Sequence, residues 1–420
     1  MSKAIIPIIF SFLIIFLIDL YAFQGLKTAI KPLQKQNVQQ ILKVVYWAFS
    51  VLFVVSFIII FLNRANISQN AFLPSLLGNL FITLLVTKVV IIVFLVFEDA
   101  TRLLIGGFSY AASFFKSNAL HEGSYIPGRR EFISQIAIGV AALPFASFLY
   151  GFTKGKYNYK VHKHQIFFKD LPEAFDGFTI TQLSDIHSGS FDDAESVKRG
   201  VDLAIAQNSD LFVFTGDLVN NKAEEVEPWI DIFSKIKAPF GQFSILGNHD
   251  YGDYIPWNSE AEKQGNFERL VQNHEKLGFR LLRDEAVELE KDGQKISLLG
   301  VENWGKGFHQ KGDLAKTLAQ TKADSFKVLL SHDPSHWEEQ VKKSNNPIHL
   351  TLSGHTHGMQ MGVEIPGFRW SPVQYRYSKW AGLYEEAGRF LHINRGFGFL
   401  GFKGRVGIWP EISVLELKRA

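Results

Sequence analysis

The feature that most constrains this chain is the crowding of Phe, Ile, Leu and Val into its first 150 residues. A helix needs about 20 consecutive apolar residues to cross the hydrocarbon core of a membrane. Four stretches reach that length, at residues 4–23, 41–62, 76–97 and 132–152. The third contains Asn79 and Lys88, and the fourth contains Gly139 and Pro144. Backbone in lipid must satisfy its own hydrogen bonds, so each stretch is expected to be a helix. Residues 1–156 therefore read as a transmembrane anchor region of about four helices. Residues 157–420 read as an ordinary soluble domain.

Orientation follows from the basic residues of the short loops. The first loop carries Lys27, Lys31 and Lys35, with Lys43 just inside the next segment; the second carries only Arg64. The third carries Arg102, Lys116, Arg129 and Arg130. Positive loops stay cytoplasmic, which predicts a multi-pass cell-membrane protein whose C-terminal domain is extracytoplasmic. If 132–152 does not span, the domain faces the cytoplasm. The run from Gly128 to Ile133 resembles a twin-arginine export signal placed internally; the favoured reading is a positive cytoplasmic anchor for the fourth helix. Lys88 lies deep in the third span, where a lone charge is expensive. It is expected to snorkel toward the cytoplasmic interface; the alternative is a pair with Asp19 or a lipid phosphate.

The chain has no cysteine. Disulfides, thiolate metal sites and cysteine nucleophiles are excluded, and any metal must be held by His, Asp, Glu or Asn. A formal charge of +3 without a basic stripe speaks against nucleic acid as a partner.

From Tyr157 onward short apolar runs alternate with amphipathic stretches. Strands are predicted at 178–183, 211–215, 243–246, 296–299, 327–330 and 348–352, a helix at 194–207 and a hairpin turn at 291–295. The pattern implies an α/β domain of two packed sheets with helices outside. Polar residues able to hold a metal sit just after these runs: Asp185 and His187, Asp217, Asn248 and His249, His332, and His355 and His357. Carboxylate, amide and imidazole donors together suit two hard-to-borderline divalent ions, which activate water as hydroxide for in-line attack at phosphorus. The Asp-x-His and His-x-His spacings are expected to aim both members of a pair at one ion, because i and i+2 share a face of an extended strand end.

These blocks, in this order, resemble the calcineurin-like metallophosphoesterase superfamily. The motifs are Leu183-Ser-Asp-Ile-His187, Gly247-Asn-His-Asp-Tyr251 and Gly354-His-Thr-His-Gly358, followed by Trp409-Pro-Glu-Ile412. With the apolar N-terminal region, the chain is similar to the bacterial transmembrane metallophosphoesterases. The resemblance implies a four-layer α/β/β/α domain and two divalent ions (Mn, Fe or Zn). It implies that Asp185, His187 and His357 hold one ion, that Asn248, His332 and His355 hold the other, and that Asp217 bridges. It further implies that His249 protonates the leaving oxygen or stabilises the transferred phosphoryl group, that Asp250 orients His249 and that Asn220 supports the site. Met359 departs from the glycine common in relatives.

The implied activity is hydrolysis of a phosphomonoester, phosphodiester or pyrophosphate bond at the membrane, with a lipid-linked substrate favoured. A UDP-2,3-diacylglucosamine-type pyrophosphatase is the alternative enzyme. A metal-binding sensor or scaffold without turnover is the alternative of another class, and few polar residues in the spans speak against a transporter. His162, His164, His274, His309, His336, His349 and His392 are expected to be surface or core groups, with His309 the one substrate-contact candidate. Trp304, Trp370, Tyr375, Tyr377, Trp380 and the aromatics of 397–402 either line an apolar approach or simply pack.

Overall fold

The computed structural model describes residues 2–62, 72–113 and 128–420. Arg64 and Lys116, used above for orientation, lie outside the described residues. The chain divides into two units, Met1–Tyr150 and Gly151–Ala420.

Four long helices arise from the apolar stretches: α1 (Ser2–Ala29), α2 (Gln36–Leu62), α3 (Phe72–Ser113) and α4 (Arg129–Thr153). All four are long and apolar enough to cross a membrane, α4 with Pro144 inside it. Small residues permit close packing. Ala22, Ala137 and Ala141 are buried beside Ile91 and Leu95, and a Cβ on Gly25 would meet Leu95 at 2.9 Å. Lys88 does not snorkel. It is buried and ion-paired with Asp19, with the Ser50 hydroxyl 3.0 Å away. With a carboxylate and a hydroxyl beside it inside the bundle, the ammonium is satisfied without reaching the interface.

The second unit is built on two six-stranded sheets. The first holds, in spatial order, β1 (Lys160–Phe168), β14 (Glu411–Arg419), β2 (Thr179–Leu183), β3 (Leu211–Phe214), β4 (Gln242–Ser244) and β5 (Arg280–Leu281). The second holds β12 (Gly382–Glu386), β13 (Arg389–Ile393), β9 (Leu350–Ser353), β8 (Phe326–Leu330), β7 (Gln294–Gly300) and β6 (Glu285–Lys291). Strands β2, β3 and β4 run parallel, as do β7, β8 and β9. The predicted hairpin joins β6 to β7, with Asp292 at φ 51° and Gly293 at φ 76°, the left-handed pair that a tight hairpin needs. A separate ribbon pairs β10 (Val363–Ile365) with β11 (Phe368–Trp370).

Alternation along the strands makes three apolar layers. Leu211 and Val213 face the second sheet and pack with Leu298, Val328, Leu330, Leu350 and Leu352. Phe212 and Phe214 face the other way, toward Val197 and Val201 of α5 (Ala194–Ile205) and Leu270 of α7 (Glu260–Lys276), the sixth helix being Ile230–Phe233. Leu299, Leu329 and Leu391 face outward onto Leu314 of α8 (Leu314–Leu318) and Trp337 of α9 (Ser335–Glu339). Helices thus flank two packed sheets, as the pattern implied. Strands β1, β5 and β10 to β14 were not foreseen; the first carries Lys, His and Gln among its apolar residues and lies at a sheet edge.

Candidate metal centre

Both parallel strand sets end at the same place. Asp185 and His187 follow β2, Asp217 follows β3, Asn248 follows β4, His332 follows β8, and His355 and His357 follow β9. The carboxyl ends of parallel strands gather side chains because the chain must turn there with polar loops. These turns are tight. Asp185, His187, Asp217, His355 and His357 all adopt left-handed backbone, with φ of 52°, 46°, 61°, 69° and 51°. Such conformations cost energy in non-glycine residues and concentrate at functional sites.

That backbone overturns the extended-strand reason for the paired spacings. Asp185 and His187 do reach one cluster, together with His357. His355 and His357 part company, and His355 joins Asp217 and His332 in a second cluster. Within each cluster the donor atoms lie within 4.8 Å of one another. His357 Nε2 is 3.2 Å from Asp185 Oδ1 and 3.1 Å from His187 Nε2. Asp217 Oδ2 stands between the clusters, 3.1 Å from His332 Nε2 and 3.5 Å from His187 Nε2. Asn248 Oδ1 is buried with no hydrogen-bond partner, while its amide donates to Tyr254 Oη at 2.8 Å. A buried carbonyl oxygen without a donor is costly unless a cation faces it. The donor set thus fits two divalent ions.

Neighbouring groups fix the imidazole tautomers. His332 Nδ1 lies 2.7 Å from the Thr215 carbonyl oxygen, which can only accept, so Nε2 is left to face Asp217. His355 turns Nε2 to Tyr377 Oη at 2.9 Å and Asp333 at 3.4 Å, and turns Nδ1 toward His332. His249 Nδ1 lies 2.8 Å from the Asn220 carbonyl oxygen. Arg405, fully buried, reaches His357 Nδ1 at 3.3 Å.

Electrostatics follow from burial and proximity. Burial alone would raise the Asp185 carboxyl, but His357 and then His332 hold it well below the usual range. Asp217 behaves likewise, burial being outweighed by His332 and His249. Burial opposes charge on His332, yet Asp217 pushes it up to about 10. Burial drives His187 and His355 down.

Asp250 does not touch the His249 ring. Its carboxylate accepts backbone N–H groups from Asp217 at 3.0 Å, Leu218 at 2.8 Å and Gly247 at 2.8 Å, tying two loops of the site together. The contact that orients His249 comes from Asn220, through its backbone and not its side chain. His309 pairs with Asp253 at 2.8 Å, away from the cleft. The cleft itself, about 270 Å³, is lined by Asn248, His249, Tyr254, Phe308, Arg376 and Tyr377 beside the two clusters. Tyr254, Phe308, Arg376 and Asp333 were missed; only Asp333, adjacent to His332, carried a signal in the sequence.

A family model described as probable calcineurin-like phosphoesterase, transmembrane domain, matches residues 3–156, and one described as calcineurin-like phosphoesterase matches residues 178–359. The chain is 31% identical over 259 residues to the uncharacterized metallophosphoesterase YkuE of Bacillus subtilis (strain 168), covering 61% of this chain and 84% of that one. It is 28% identical over 284 residues to a transmembrane protein with metallophosphoesterase domain from Danio rerio, covering 65% and 60%. It is 26% identical over 292 residues to phosphodiesterase YaeI of Escherichia coli (strain K12), covering 69% and 98%.

Two packed sheets, paired ligand clusters and these relatives define a metal-dependent phosphoester hydrolase. Its four apolar helices make it a multi-pass membrane protein. The chain belongs to the calcineurin-like metallophosphoesterase family, in its four-helix transmembrane form.

Proposed function

We propose that the protein hydrolyses a lipid-linked phosphodiester or phosphomonoester on the extracytoplasmic face of the membrane. Asp185, His187 and His357 hold one divalent ion, Asn248, His332 and His355 hold the second, and Asp217 serves both. The observation that carries this reading is the position of Asp217 Oδ2 between two buried donor clusters. Ions held there supply Lewis-acid stabilisation of the phosphoryl oxygens and activate water at neutral pH.

The chain's own residues set the rest. His249 donates Nδ1–H to the Asn220 carbonyl, so Nε2 is the atom left for substrate; as imidazolium it protonates the departing oxygen. The Asp217 carboxylate also accepts the His249 backbone N–H at 2.8 Å, which locks this acid to the carboxylate shared by the clusters. Arg376, in the cleft wall, offers a fixed positive charge to a second anionic group of the substrate. The name of the Escherichia coli relative, a phosphodiesterase, supports the diester.

The test is release of p-nitrophenol from mono- and bis-(p-nitrophenyl) phosphate with added manganese, followed by a panel of envelope lipid phosphates in proteoliposomes. Turnover of the diester and of at least one lipid phosphate is expected. No turnover on any of them defeats the reading in favour of a binding module. Turnover confined to a UDP-linked pyrophosphate identifies the alternative enzyme.

A further inference from the structure

Of the nine large apolar side chains left exposed in residues 151–420, five fall within 359–375: Met359, Val363, Ile365, Phe368 and Tyr375. Most of them belong to the β10–β11 ribbon, which joins neither sheet. Its register pairs Val363 with Trp370, Glu364 with Arg369 and Ile365 with Phe368. Residues directly opposite share a face, so Val363, Ile365, Phe368 and Trp370 lie on one face, and Glu364 and Arg369 on the other.

The charged face is the one that bonds to the rest of the domain, although Glu364 and Arg369 are themselves exposed. Glu364 accepts from Arg395 at 2.6 Å. The Arg369 guanidinium sits 5.1 Å from the Trp380 ring centroid and donates to Tyr384 Oη at 3.1 Å. The apolar face is turned out, with Val363, Ile365 and Phe368 exposed to 44%, 58% and 54%. The ribbon therefore leaves three large apolar side chains in solvent while its polar contacts to the domain are made by Glu364 and Arg369. An apolar surface held outward by design marks a contact with something else.

We propose that this ribbon docks into the interfacial layer of the bilayer that the chain's own helices span. The ribbon's base is tied to the place where α4 ends. Gly362 N–H donates to the Val406 carbonyl at 2.9 Å, and the neighbouring Arg405 N–H donates to the carbonyl of Gly151, in the last turn of α4, at 3.1 Å. A Cβ on Gly151 would meet Val406 at 2.6 Å, so the two segments are in contact. The apolar face is also of the interfacial kind: exposed Phe368 and half-buried Trp370 on the ribbon, and exposed Tyr375 just after it, are aromatic rings suited to the boundary between hydrocarbon and headgroups. Met359, two residues after His357 and 53% exposed, carries the apolar surface back to the metal centre. Docking therefore brings the catalytic loop to headgroup level, whichever ester is cleaved.

The absence of cysteine makes the test direct. Full-length Ile365→Cys, Phe368→Cys and, as a control on α5, Leu203→Cys are labelled with an environment-sensitive fluorophore. They are reconstituted in phosphatidylethanolamine–phosphatidylglycerol vesicles with or without doxyl-labelled lipid. Blue-shifted emission and loss of intensity to the doxyl lipid are expected at 365 and 368, and neither at 203. Ready quenching of 365 and 368 by aqueous iodide, without a doxyl effect, overturns the proposal by placing the ribbon in water. A blue shift without a doxyl effect overturns it too, because protein, such as a second copy of the chain, then covers the ribbon. The readout uses no substrate, so failure of docking and failure of the proposed activity are seen separately.

Discussion

Lys88 of α3 is ion-paired with Asp19 of α1 inside the helical bundle, and the Ser50 hydroxyl of α2 lies 3.0 Å from the same ammonium. One charge thus ties three helices together. Lys88→Leu leaves the Asp19 carboxylate buried and alone, which costs about 3–5 kcal/mol. The expected result is a lower unfolding temperature in detergent, recovered in large part by Asp19→Leu/Lys88→Leu. A single variant as stable as the parent shows that the pair contributes nothing.

Asp217 and His249 are predicted to fail in different ways. Asp217→Asn removes the charge shared by both clusters and is expected to lose bound metal, measured by elemental analysis, along with all hydrolysis. His249→Ala is expected to keep its metal and lose about 10²–10⁴ in kcat, the usual contribution of a positioned acid. Parent-level turnover by His249→Ala would remove it from the reaction.

Gly354 has no room for a side chain. A Cβ there would stand 1.9 Å from Ser184 Oγ and 2.2 Å from Asp185 Oδ2. Gly354→Ala is expected to push Asp185 out of its cluster and cut turnover by roughly 10²-fold, the scale of a 1 Å misplacement at a reacting centre. The protein should remain folded by circular dichroism. Unchanged activity with unchanged metal content would contradict the packing.

His274 provides a pH test away from the metal centre. Its ring is fully buried against the Ser244 hydroxyl at 2.9 Å, and burial holds its pKa down to about 3. An unfolded histidine titrates near about 6.5. The folded state therefore favours the neutral ring: this contribution to stability is complete above the unfolded value and is lost as pH falls from there toward 3. The slope is about 1.4 kcal/mol per pH unit. His274→Gln keeps a hydrogen-bonding group and removes the titration. Between pH 7 and pH 5 the parent should lose about 2 kcal/mol more than the variant in thermal melts; coincident profiles would exclude His274 as a source of acid sensitivity.

Much of the design was legible in the chain. Apolar length alone announced α1 to α4, since a lipid-spanning backbone has few other forms. Alternation of apolar runs with amphipathic stretches marked β2, β3, β7 and β8. Strands β1 and β14 were not legible, because their residues mix Lys, His, Ser and Glu with apolar ones and their place is fixed only by pairing across the chain, β1 with β14 and β14 with β2. The tautomers of His332 and His249 were illegible for a different reason: the groups that set them, the carbonyls of Thr215 and Asn220, belong to the backbone and leave no mark in a sequence.

What the sequence determined by itself is the inventory: four apolar helices, no thiol, and oxygen and nitrogen donors placed after successive strands. Tertiary structure alone decided how that inventory divides. It sent His355 and His357 to different clusters through left-handed backbone, gave Asp250 to the loops instead of to His249, and paired Lys88 with Asp19. It also left Val363, Ile365 and Phe368 of the β10–β11 ribbon exposed. Each of these depends on which groups meet across long separations in the chain, where burial leaves a charge or a polar atom no choice but its nearest partner.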